Sequence, residues 1–401
     1  MTAVMRTLFS LTIVVMAGCA SPARQKVLNP AASIPARFAP WQRTLTAEEW
    51  RAALDGRFAP NGAGQDYIEI TSTAVKVKVA ETSPEEFFSI ATRAPNARRP
   101  TPPRGARYWH TLGELGPAPT NRPLSGLHVA LDPGHLGGEW GPLEGRSFTV
   151  DDRPPVQEGD LALRVAQMLA PRLTALGAQV TFVRDKAGPV TGEKIENVHP
   201  ADWVEMQAFL NKEIHARAVK VNDQLHPDLV LCLHFDAVDW PDPDHHTLVD
   251  KPQHFHILVN GSYLPAEIAN EEQRLFMLER IADGAGTEEL AVAQAMAESA
   301  VPIFRLPAVG YSGANGIALG GDGYVWGRNL LADRLYRCPV IFFEPYVANS
   351  VEGYERIQAG EYVGTRDFGG MARKNIFEEY CDAVVAGLVN YYGKRPISRT
   401  R

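Results

Sequence analysis

Four residues carry chemistry if the fold gathers them. His135 follows the apolar run in "LHVALDPGHLGG", where Asp132-Pro133-Gly134 turns the chain and Gly137 and Gly138 leave room for another group beside the imidazole. His234 stands near the end of a second apolar run, "LVLCLHFDA", and Glu158 opens the helical stretch "QEGDLALRVA". An isolated histidine is more often structural, but two imidazoles with one carboxylate form a ligand set that zinc uses in hydrolases, with water in the fourth position. Zinc so held lowers the pKa of that water to about 7 and polarises a carbonyl oxygen. Glu344 ends a late apolar run, "CPVIFFEP", where a carboxylate is costly unless paired or bound to metal. Beside a zinc centre it would act as general base and pass the proton to a leaving amine. Glu139 and Glu144, in the insert between His135 and Glu158, are rival carboxylate ligands.

These residues need a scaffold. From about residue 124, apolar strands at 127–132, 178–184, 228–236, 254–260 and 338–345 alternate with helical stretches such as "GDLALRVAQMLAPRLTAL", where Leu161, Val165, Met168, Leu169 and Leu173 fall at three- and four-residue spacing. That pattern predicts an α/β fold with a mostly parallel or mixed sheet flanked by helices on both faces. Functional groups in such folds collect at the carboxyl ends of strands, where His135, His234 and Glu344 all lie.

Ahead of that unit, "LTAEEWRAAL" has a capping box in Thr46 and Glu49, "DYIEITSTAVKVKVAE" alternates like a strand or hairpin, and "SPEEFF" reads as a second helix start with Ser83 before Pro84. Residues 41–95 are therefore expected to form a small α+β accessory domain, joined by a Pro/Arg-rich linker over 96–123. A net charge of −7 over 401 residues, with no basic run, argues against nucleic acid as a partner.

The N-terminus reads as an export signal: one early Arg6, then an apolar stretch too short to span a bilayer. Met16-Ala17-Gly18-Cys19 resembles the bacterial lipobox, which implies a signal over 1–18, lipidation at Cys19, and a tether over 19–40. Ala20 and Ser21 after the cysteine favour the periplasmic face of an outer membrane. Of the other three cysteines, Cys232 and Cys338 lie in strand-like runs and are expected as buried free thiols.

The blocks "LHVALDPGHLGG", "QEGDLALRVAQMLAPRLTALGAQVTFVRD", "ARAVKVNDQLHPDLVLCLHFDA" and "RCPVIFFEPYVANS", in that order, resemble the zinc-dependent N-acetylmuramoyl-L-alanine amidases of the amidase 3 family. The resemblance covers about residues 124–392. It implies an amidase catalytic domain over 124–395, zinc on His135, Glu158 and His234, Glu344 as catalytic glutamate, and peptidoglycan as substrate. Arg217 and Asn222 fall where the family has an Arg and an Asn, and are expected as structural support. The chain departs from the family at Cys232 and Asp236, where Ser and Asn are usual, and at Pro345-Tyr346, where Gly-Phe is usual; Asn349 keeps its place.

Two insertions bear on specificity. Residues 186–215 lengthen the segment where some amidases of this family carry a blocking helix, which would call for a protein activator. Residues 237–253 form an acidic, aromatic loop just after His234. Asp236, Tyr324, Trp326 and Asn349 are candidate groove residues, with Tyr311 beside them in the glycine-rich stretch 310–330, expected as a flexible substrate loop. His245, His246, His254 and His256 are expected to be solvated rather than to hold a second metal. Two other readings remain: a carboxypeptidase-like peptide hydrolase, weakened because Gly138 stands where His-x-x-Glu would place its glutamate, and a wall-binding protein without catalysis.

Overall fold

The computed structural model describes residues 34–79, 87–200, 202–238, 240, 248–311 and 313–397. Cys19, Ser83, Pro84, His245 and His246 lie outside these. Among the described residues no helix is long and apolar enough to cross a membrane.

The N-terminal segment contains helix α1 (Ala47–Ala53) and an antiparallel sheet of β1 (Ile68–Ile70), β2 (Ala74–Lys78) and β3 (Phe87–Ala91). Thr46 and Glu49 form the expected capping box. The second helix expected from "SPEEFF" does not extend over 87–91. Those residues pair with β2 from Phe87 opposite Lys78 to Ala91 opposite Ala74, and Ile90 enters the core at 0% exposure while Phe87 faces solvent. An aromatic, alternating segment suits a pleated, half-buried surface better than a helix.

The core under this small sheet is shared with the rest of the chain. Phe38, Trp50, Val75, Val77 and Ile90 cluster with Tyr263, Ile268, Leu275, Leu278 and Ile281, the last three from helix Glu271–Ala282. Arg57 reaches across to the Asn260 carbonyl (2.7 Å) and to Glu289 (2.7 Å), which also pairs with Arg280. In the segment expected as a linker, Trp109 is buried.

The main sheet contains β4 (His128–Pro133), β5 (Gln179–Phe182), β6 (Leu229–Leu233), β7 (Phe255–Asn260), β8 (Ile317–Ala318), β9 (Val325–Arg328) and β10 (Val340–Pro345), in the order β8-β9-β7-β10-β6-β4-β5. β5, β4, β6 and β10 run parallel; β7 is antiparallel to β10, β9 is parallel to β7, and β8 is antiparallel to β9. The sheet is mixed and covered on both faces, as its strand composition requires. Val129, Leu131, Leu231, Ile257, Ile341 and Phe343 pack into one cluster with helices Glu158–Ala175, Ala285–Phe304 and Ile376–Tyr392, while the alternating Ala130, Val230, Cys232, Leu258, Val340 and Phe342 pack into another. β8 and β9 are a correction to the flexible loop expected over 310–330: Val325 through Arg328 add to the sheet beside β7. Cys232, Cys338 and Cys381 are buried free thiols.

Candidate metal centre

The loop after β4 is shaped by what must approach it. An ideal Cβ on Gly134 would lie 2.3 Å from the His234 imidazole, and one on Gly159 would lie 2.3 Å from the Gly137 nitrogen. Gly134, more than Gly137 or Gly138, is thus the residue that admits the second imidazole, and the Gly137–Gly159 contact lets the helix opening at Glu158 close on the loop. His135 itself has φ of 57°, a left-handed conformation that a non-glycine residue keeps only when its surroundings hold it.

Two buried arginines supply that hold. Arg184 donates to the carbonyls of Pro133 (3.3 Å), Gly134 (3.1 Å), Leu136 (3.1 Å) and Gly159 (2.8 Å). Arg217 donates to Asp132 (2.9 Å), Pro133 (3.0 Å), His135 (2.9 Å) and Glu213 (3.0 Å). Burial alone would lower the Arg217 pKa, but Asp132 and Glu213 outweigh it and raise it. Asn222 braces Leu335 and the Arg337 backbone. Arg217 and Asn222 thus act as the structural supports the sequence suggested. Of the insert 186–215, residues 203–215 are the first turns of the helix Trp203–Lys220 that carries Arg217.

His135, Glu158 and His234 come together: one ligand atom of each lies within 4.8 Å of the others. Glu158 is 2% exposed; its two oxygens lie 3.1 Å from His135 Nε2 and 2.9 Å from His234 Nδ1. Burial alone would raise its pKa, and the two imidazoles outweigh that and lower it. For His135, burial alone would lower the pKa, but Glu158 and then Glu144 push it up to about 9. Glu144 does not join the ligand group. It sits 3.2 Å from His135 Nδ1 and accepts from the Leu136 amide, the outer carboxylate that commonly orients a metal-binding imidazole. Glu139 is exposed. The donor set of two imidazoles and one buried carboxylate fits zinc.

Glu344 lies next to this group. In the antiparallel register of β7 and β10 it sits opposite His256, whose Nε2 is 3.0 Å from Glu344 Oε2 and 2.8 Å from the Tyr311 hydroxyl. Burial would raise the Glu344 pKa; the His256 hydrogen bond and the charges of His256 and His234 lower it. The sequence gives His256 no part in this group, and Tyr380 carries no functional signal at all. The Tyr380 hydroxyl contacts the His234 backbone and the Phe343 carbonyl, a role with no local sequence signal. His256 had a signal, since a histidine inside an apolar strand must be partnered. It is 2% exposed, which corrects the expectation that His254 and His256 are solvated.

The groove candidates separate. Asp236 Oδ2 lies 2.6 Å from His254 Nε2. Tyr324 stacks on Phe255 at 4.4 Å and donates its hydroxyl to Leu306, whereas Trp326 donates to Gly323 and packs against Tyr311. Asn349 is buried, and its amide exchanges hydrogen bonds with the Val238 backbone, fastening the chain just after His234.

No protein-family model matches the chain, and no curated protein matches it. Among solved structures, it is similar to the N-acetylmuramyl-L-alanine amidase Ami1 from Mycobacterium smegmatis, with 18% identity, a TM-score of 0.41, and coverage of 68% of this chain and 99% of that one. It is also similar to the N-acetylmuramoyl-L-alanine amidase from Clostridium difficile 630, with 15% identity, a TM-score of 0.40, and coverage of 66% and 96%. A third similarity is to the CwlD amidase from Clostridioides difficile, solved in complex with the GerS lipoprotein, with 11% identity, a TM-score of 0.41, and coverage of 66% and 98%.

Proposed function

We propose that this chain is an exported zinc hydrolase that cleaves the amide between the lactyl group of N-acetylmuramic acid and L-alanine in peptidoglycan, anchored to the envelope through a lipid on Cys19. The observation that carries the reading is the convergence of His135, Glu158 and His234, drawn from three separate strand ends and helix starts, with Glu344 beside them. The ordered sequence blocks around these four residues supply the substrate class. Residues 124–395 are taken as the catalytic domain.

His135, Glu158 and His234 would hold the ion, which when bound polarises the scissile carbonyl and makes water a competent nucleophile near neutral pH. Glu344 takes a proton from the attacking water and delivers it to the nitrogen of the departing L-alanine. Its hydrogen bond with His256 keeps the carboxylate ionised and therefore ready to accept that proton. Arg184 and Arg217 keep the His135 loop in one geometry, so that orientation need not be established during the reaction.

The test is mass spectrometry of defined muropeptides incubated with the protein, with chelator, and with zinc restored. The expected product is free stem peptide beginning with L-alanine, lost with chelator and recovered with zinc. Cleavage within the peptide would mark a peptide hydrolase, and binding of wall fragments without any product would mark a wall-binding protein. Mass analysis of the mature N-terminus tests the anchor: an unmodified Cys19 would remove it.

A further inference from the structure

We propose that Asp236, His254 and His256 form a second divalent-cation site, separate from the group formed by His135, Glu158 and His234. One ligand atom of each of the three lies within 4.8 Å of the others. The topology explains why. β7 runs antiparallel to β10, so its amino end meets the carboxyl ends of β10 and β6. The Tyr346 amide donates to the His254 carbonyl, and the Ala348 amide donates to the Asp236 carbonyl, which ties both residues to the same stretch after β10. His254 and His256, two positions apart on one extended segment, share a face.

A second observation points to a ligand. His256 is 2% exposed, and its Nε2 is spent on Glu344 and Tyr311, yet its Nδ1 is buried with no hydrogen-bond partner among the described residues. A buried nitrogen left unpaired is costly. With Nε2–H donating to the Glu344 carboxylate, the Nδ1 lone pair is free to take a cation, and a histidine with one nitrogen on a metal and the other on a carboxylate is the usual arrangement at such sites. Two imidazoles with one carboxylate select a first-row ion of the zinc class over magnesium or calcium, which prefer oxygen ligands. A loaded second site would also fix the His256 ring, and through it Glu344. The inference stands on these three residues and does not depend on the amide-hydrolysis reading.

The experiment is a titration of the full, metal-stripped chain with zinc, read by calorimetry and elemental analysis, and with cobalt, read by its absorption bands. Two equivalents are expected to bind the wild-type chain. His254→Ala and Asp236→Asn should each bind one, as should His135→Ala, and the His135→Ala/His254→Ala double variant should bind none tightly. The Asp236→Asn variant, which keeps side-chain volume, covers the case in which His254→Ala fails to fold. A single equivalent in the wild-type chain would overturn the proposal, as would two equivalents retained in both His254→Ala and Asp236→Asn. Loss of the second equivalent in a His245→Ala/His246→Ala variant, with His254→Ala unaffected, would also overturn it by assigning the ion to His245 and His246.

Discussion

Arg217 donates to the backbone carbonyl of His135 at 2.9 Å across 82 residues of sequence, so a helix on one side of the sheet fixes the backbone of the first candidate ligand. The same guanidinium holds Asp132, Pro133 and Glu213. A lysine is a point charge and cannot serve that fork of acceptors. Arg217→Lys is expected to weaken zinc binding about 10- to 100-fold, the usual effect of losing an outer support of a metal ligand. Competition against a chromophoric chelator measures this; unchanged affinity would show that the loop holds its shape unaided.

Glu344→Gln keeps the shape of the side chain and removes its basicity. Turnover of muropeptides is expected to fall about 10²- to 10⁴-fold, the range attributed to a positioned general base, while bound zinc stays at the wild-type amount. Hydrolysis at the wild-type rate would rule out this role for Glu344.

Arg57 joins the N-terminal segment to the main sheet through Asn260 and the buried Glu289. Arg57→Ala leaves Glu289 paired with Arg280 and is therefore expected to destabilise the chain by less than the roughly 3–5 kcal/mol that follows when a buried charge loses its last partner. Because the two regions share one apolar cluster, denaturant unfolding of the wild-type chain should show a single transition. An early, separate loss of the N-terminal segment would contradict this.

Burial pushes the carboxyls of Asp283 and Asp333 up to about 7 from an ordinary value of 3.8. Between those values the folded state binds protons that the unfolded state has released, so these two groups make stability fall as pH rises from about 4 to 7. Asp333 Oδ1 accepts from Asn260 and from the Leu330 amide, and its Oδ2 is buried without a partner among the described residues. Asp333→Asn preserves the acceptor and cannot ionise. Its unfolding free energy should therefore decline less steeply than that of the wild type between pH 5 and 7.5; equal slopes would mean that Asp333 is ionised throughout.

Local signals in the chain determined a large share of this protein. Apolar runs punctuated by turns located β4, β6, β7 and β10, because a strand buried on both faces must be apolar at successive positions; β5 sits at the edge of the sheet and is only partly buried. The capping box at Thr46 and Glu49 set the start of α1, since both partners lie within one helical turn. Polar residues at the ends of apolar runs marked His135, His234 and Glu344, because an ionisable group there needs a partner. Tertiary structure decided the choices that depend on distance. Glu158 and Glu144 are chemically alike, and it is the packing of Gly159 against Gly137, with Arg184 on the Gly159 carbonyl, that sets Glu158 between the two imidazoles while Glu144 braces His135 from its other nitrogen. The reversed direction of β7 placed His256 opposite Glu344 and His254 beside Asp236. Strand direction follows from how the whole sheet assembles, and a buried apolar strand reads the same from either end.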